Sequence, residues 1–162
     1  MSMGFAKVPV GDWDKVKSGS REDSVPDGDY FARFVRCVNF PPEKSKKGIG
    51  TYNLEFVLTE ENANGGQLAG KRVVCRCSYH PDPERVTDKD YATMNSISVT
   101  NMAQLIDAAG ATPELDQQGN FDVALTVEKL AKVEPTVLLA VGHRSEGAKT
   151  YQEVGNFRAI SR

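Results

Sequence analysis

Hydrophobic and polar residues alternate along two stretches in the first half of the chain. Over residues 51–58, Tyr52, Leu54, Phe56 and Leu58 fall on one side, and Thr51, Asn53, Glu55 and Val57 on the other. That period of two predicts a strand with one buried and one wet face. Residues 71–79 repeat the pattern, with Val73, Cys75, Cys77 and Tyr79 opposite Arg72, Val74, Arg76 and Ser78. Residues 29–40 are mixed. Tyr30, Ala32, Phe34 and Val38 share a face with Arg36, while Phe31, Val35 and Cys37 share the other with Arg33. A long strand that serves two sheets of a small barrel, bending or bulging midway, has this pattern.

The second half opens with a helical stripe. Val99, Met102, Leu105, Ile106 and Ala109 predict a helix over residues 99–109, capped by Ser98 or Thr100 and stopped by Gly110 and Pro113. Residues 80–95 before it read as a long connection, functional or mobile. Residues 111–125 read as loop, and Thr126 as the cap of a short helix that Pro135 ends. TVLLAVGH, apolar on both faces, predicts a central strand, and residues 150–159 a last one after the turn RSEGAK. The expected fold is mainly β. Three strands, a helix and a final hairpin fit a five-stranded OB barrel with the helix between strands three and four. Residues 1–27 have little periodicity and read as an N-terminal arm and linker, leaving 28–162 as the domain. Trp13 is either the anchor that packs the arm down or a stacking surface for a base.

A length of 162 residues suits one domain. No apolar run approaches the roughly 20 residues of a membrane span, and the first residues lack the apolar stretch of a secretory signal. Three cysteines, an odd number, argue for a reducing compartment rather than a disulfide framework. The net charge of −2 hides an uneven distribution. Residues 28–80 hold eight Lys/Arg against five Asp/Glu, residues 136–162 four against two, and residues 81–135 four against ten. A local field of this kind steers a polyanion whatever the net charge.

The loop PPEKSKKGIG joins the first two strands and carries Lys44, Lys46 and Lys47; the last hairpin offers Arg144 and Lys149. In an OB barrel these two loops flank the ligand face. Binding of a single strand needs cations along the phosphate path and flat side chains on which bases stack. The candidate cations are Arg33, Lys44, Lys46, Lys47, Arg72, Arg76, Arg144 and Lys149, set against the plain alternative of a solvated charged face. The candidate stacking residues are Phe31, Tyr79, Tyr151 and Trp13. Phe31 and Tyr79 are equally readable as core, and Tyr52 and Phe56 are read as core.

PDGDYFARFV, KSKKGIGTYNLEFVL, LAGKRVVCRCSY, NMAQLIDAAG and TYQEVGNF, in that order, resemble a family of phage and prophage single-stranded-DNA-binding proteins with a single OB fold. The resemblance spans about residues 25–158. It implies a non-enzymatic accessory of replication or recombination that coats exposed strands in the host cytoplasm. Replication or recombination proteins are then expected partners, and an oligomer is compatible with it. The stretch 111–135 is longer and more acidic than the resemblance predicts. The alternatives are a virion structural or interaction domain and an RNA-binding OB module.

Cys75, Cys77 and His80 have the spacing CxCxxH, unlike the paired CxxC of zinc sites, and read as small buried thiols rather than ligands. No metal and no cofactor is expected. The two histidines, His80 and His143, stand near no nucleophile motif, and no GxxxxGKS phosphate loop is present.

Overall fold

A computed structural model describes residues 22–60, 65–82 and 84–160. In chain order the elements are β1 (Gly28–Phe40), β2 (Gly50–Leu58), α1 (Gly65–Leu68), β3 (Arg72–Tyr79), α2 (Lys89–Ala108), β4 (Glu114–Leu115), β5 (Phe121–Asp122), α3 (Val123–Val133), β6 (Thr136–Glu146) and β7 (Lys149–Arg158). Five strands make one antiparallel sheet in the order β3-β2-β1-β6-β7, with α2 between its third and fourth strands in sequence. β4 and β5 form a separate two-stranded hairpin.

The sheet is not closed into a barrel. β3 and β7 are its two edges, and no ladder joins them among the described residues. Residues 22–25, expected to be linker, lie on the β3 edge instead. Asp23 N donates to Arg72 O at 2.8 Å, and Val74 N donates to a Glu22 carboxylate oxygen at 2.9 Å. Edge groups of β3 that a closing strand would need are therefore occupied.

The expected irregularity in the first strand is a bulge at Val35. Phe34 pairs with Phe56, and the next pair is Arg36 with Glu55. An extra residue exchanges the two faces beyond it. Arg36 thus leaves the face it shares with Tyr30 in strict alternation and turns outward, while Cys37 turns in opposite Leu54 and packs on the core.

Phe34, Phe56, Leu54, Leu58, Leu105, Leu139 and Val127 are wholly buried at the centre. Phe56 lies between Phe34 and Phe157, with ring centroids 5.2 Å and 5.1 Å away. Each such side chain contributes roughly 1.5–3 kcal/mol by leaving water. Cys75 and Cys77 are buried in the same core, their sulfurs 3.9 Å apart.

The helix predicted at 99–109 begins ten residues earlier, and what read as connection is its first half. Two inward positions there are polar, so the apolar stripe breaks off. Asn95 accepts from His80 N at 2.8 Å and donates to His80 O at 3.2 Å, and the Ser98 hydroxyl donates to Ser78 O at 2.5 Å. Helix and strand end are joined by hydrogen bonds where apolar packing is usual. Val99, expected in the stripe, is 53% exposed. The cap of α3 is Asp122, which accepts from Leu125 N at 2.9 Å, and not Thr126. The Thr126 hydroxyl instead donates to Asp122 O and accepts from Glu114 N, tying the β4–β5 hairpin to the helix. Among the described residues no helix is long and apolar enough to cross a membrane.

Candidate nucleic-acid interface

Strand register sets the outward face of β1, β2 and β3. Arg33, Val57 and Arg72 form one row; Arg36, Glu55 and Val74 the next; Val38, Asn53 and Arg76 a third. Four arginines therefore surround one carboxylate. The predicted wet face is closed at its centre: Glu55 is 1% and Asn53 7% exposed. Glu55 accepts from Arg36 at 3.0 Å and from Arg72 at 3.1 Å. Taking a carboxylate out of water costs free energy that such partners offset.

The other candidate arginines, Arg33, Arg76 and Arg144, are paired as well. Arg33 lies 3.6 Å from Glu134, Arg76 3.2 Å from Glu22, and Arg144 2.5 Å from Glu146 and 3.2 Å from Glu153. The two glutamates keep the Arg144 guanidinium more firmly protonated than usual, with Glu146 the larger influence. Lys44, Lys46, Lys47 and Lys149 are exposed and make no ion pair among the described residues. An arginine fork matches a carboxylate with little loss of freedom, whereas a lysine head remains a hydrated point charge.

A cleft of about 250 Å³ between the two sheet edges and α2 brings Arg76, Arg144 and Tyr151 together, with Asn101 and Ile97 on the helix side. The Arg144 guanidinium lies over the Tyr151 ring, 5.1 Å from its centroid. Tyr151 is 41% exposed, so one end of a stacking surface is open to water. The lysine loop meets the other end of β3, where Gly50 pairs with Tyr79.

Tyr79 is on the core side of the sheet. It is half-buried and stacks on Tyr52, centroids 5.4 Å apart and planes 24° from parallel. Burial first, then Tyr79, pushes the Tyr52 phenol up to about 12. Phe31 is on the outward face beside Arg33, half-buried, at the row of Leu138. Trp13 lies outside the described residues. Lys149 stands opposite Glu146 at the tip of the last hairpin, beyond the cleft.

No known protein family is matched by the sequence, and no curated protein is recognisably similar to it.

Two contributors escaped the sequence pattern. Strict alternation groups Arg36 with Tyr30 and Phe34, and the bulge at Val35 moves it to the outward face; its charge among apolar neighbours was the signal. Glu22 and Asp23 sit in a stretch of Ser, Gly and charged residues, a composition that does not reveal packing. Among the described residues no cluster of His, Cys, Asp and Glu is arranged to hold a metal. Burial pushes the Cys37 thiol up to about 12, and the hydrogen bond with Cys77, then burial, raises that of Cys75. Thiols held protonated are poor nucleophiles and poor ligands.

Proposed function

We propose that the protein is a single-stranded-DNA-binding protein of a phage or prophage, an OB-like module that coats exposed strands during replication or recombination in the host cytoplasm. The observation that carries this reading is the pairing of two unlike features along β3. At one end is a loop with three exposed lysines that make no ion pair among the described residues. At the opposite edge is a cleft where an arginine lies over a half-exposed tyrosine. Unpaired cations neutralise phosphates without regard to sequence, and an exposed ring accepts any base. The strand order and the position of α2 support an OB-like path for the ligand.

The test is a titration of labelled oligo-dT over a range of salt, with an RNA of equal length and a duplex alongside. Each neutralised phosphate on a single strand contributes roughly −0.7 to the slope of log affinity against log salt. Lys46→Ala with Lys47→Ala is expected to weaken binding to all sequences alike and to flatten that slope by up to about 1.4. A folded double variant with unaltered affinity and slope would remove the loop from the interface.

A second reading has its own observation. Leu115 and Phe121 face each other across the β4–β5 hairpin at 58% and 66% exposure, and Val133 on α3 is 72% exposed. An apolar surface of this kind on an acidic segment suits an interaction domain. That reading moves ahead if the wild-type protein ignores oligo-dT, RNA and duplex alike.

A further inference from the structure

Residues 22–27 carry three carboxylates, and each rests on a donor. Glu22 accepts from Val74 N at 2.9 Å through one oxygen and from the Arg76 guanidinium at 3.2 Å through the other. Asp23 Oδ2 accepts from Arg72 N at 2.9 Å. Asp27 bonds the His143 imidazole, which raises the pKa of that ring above its ordinary value. Between them Val25 is 2% exposed, and Gln152 of β7 clamps the segment from the far side. Gln152 accepts from Val25 N at 2.9 Å and donates to Asp23 O at 3.0 Å.

Arg72 N–H, Val74 N–H and the Arg76 guanidinium thus form a row of donors along one edge of β3. Alternate amides on a strand are about 6.6–6.8 Å apart, twice the rise per residue. That is about one nucleotide of an extended single strand. A carboxylate oxygen accepting from N–H and guanidinium groups takes the place that a phosphate oxygen takes in charge-assisted bonds. The row opens onto the cleft of Arg144 and Tyr151, where a base attached to the same backbone would lie.

We propose that the β3 edge is an anion-binding row for successive phosphates of a single strand, and that Glu22 and Asp23 occupy it in the free protein as an internal competitor. The proposal rests on the single-strand reading above. Because Val25 stays anchored in the core, the competing carboxylates are held close at a high effective concentration, and binding along the row is an exchange rather than a simple capture. The three lysines of the loop supply first contact, and the row engages only when the segment yields.

Glu22→Gln with Asp23→Asn tests this, since both amides keep an acceptor for the β3 N–H groups and lose the charge. The probe is oligo-dT of fifteen nucleotides, titrated against wild type and variant over the same salt range, with thermal unfolding of both. The variant is expected to bind at least about threefold more tightly, with a slope steeper by roughly 0.7 for the phosphate that Arg76 then neutralises. In the wild type, saturation with the oligonucleotide is expected to change the amide exchange of Arg72 and Val74 while Val25 stays protected. Equal affinity and slope in the two folded proteins, with wild type binding well, overturns the competitor and leaves the single-strand reading standing. Failure of the wild type to bind overturns both.

Discussion

Gly50 is the residue on which the base of the lysine loop depends, and replacing it by Ala gives a calculable disturbance. A Cβ built there would lie 2.6 Å from the Tyr79 hydroxyl oxygen and 2.7 Å from Cε1 of the same ring. Carbon atoms pack at about 3.5–4.0 Å, so the ring has to retreat by about 1 Å. Gly50 is buried, and its backbone is held in the ladder opposite Tyr79, so the strand has little room to yield. The ring is half-buried and gives way first, and in doing so it leaves Tyr52. Loss of an aromatic pair costs about 0.5–1.5 kcal/mol, and overpacking in general about 1–3 kcal/mol. We expect Gly50→Ala to destabilise by about 2 kcal/mol, read by urea unfolding, or a fall in Tm of about 2–4 °C per kcal/mol for a chain of this size. The sharper measurement is a double-mutant cycle. Tyr79→Ala removes the ring that the new methyl group would strike, so Gly50→Ala is expected to add less than about 0.5 kcal/mol in that background. Simple additivity of the two costs would refute the steric argument. The same proteins also place Tyr79. If its ring only supports the loop from the core side, Tyr79→Ala lowers stability and leaves the affinity of the folded protein for oligo-dT within about twofold. A loss of roughly 1–3 kcal/mol of binding would make it a stacking surface.

Glu55→Gln removes the charge between Arg36 and Arg72 and is expected to cost about 2 kcal/mol, since charge-assisted bonds are lost while both guanidinium groups keep partial contact with water. Denaturant unfolding measures it, and an unchanged midpoint would show that the pairs at 3.0 and 3.1 Å hold nothing together. For His143 the hydrogen bond that the ring donates to Asp27 raises the folded-state pKa. Its contribution is therefore present below the ordinary histidine range and is lost as pH rises through the folded value. NMR titration is expected to show the ring titrating above the ordinary value, and in Asp27→Asn returning toward it.

Strand existence and the helix between the third and fourth sheet strands were legible because the apolar side chains keep a period. Phe34, Phe56, Val73, Cys75 and Cys77 are buried as their alternation predicts. The bulge was legible as a conflict, an arginine on each face of a partly apolar strand, though its place at Val35 was not. The first half of α2 was illegible because Asn95 and Ser98 satisfy strand carbonyls and amides in place of apolar packing. Barrel closure was misjudged for a related reason. The β3 edge amides of Arg72 and Val74 donate to Asp23 and Glu22 there, and no periodic pattern encodes those bonds. In the candidate site, residue types were legible and pairings were not, since cross-strand distances depend on register.

Those pairings change how the cations are to be counted. Eight candidate cations, each neutralising one phosphate, would give a salt slope of about −5.6. Arg33, Arg72, Arg76 and Arg144 each already face a carboxylate within 4 Å, however, and an arginine that trades a glutamate for a phosphate changes the charge of the complex differently from one that was free. The displaced glutamate recovers its own counterions, so the net release from such an exchange is small. Lys44, Lys46, Lys47 and Lys149 release theirs in full, which puts the wild-type slope in the oligo-dT titration near about −2.8. A slope near about −5.6 would mean that the ion pairs of the free protein do not persist in solution, and the competitor on the β3 edge would then have nothing to hold. A slope near about −2.8 that steepens when Glu22 and Asp23 lose their charge would assign the arginines to the architecture of the face and the lysines to its grip.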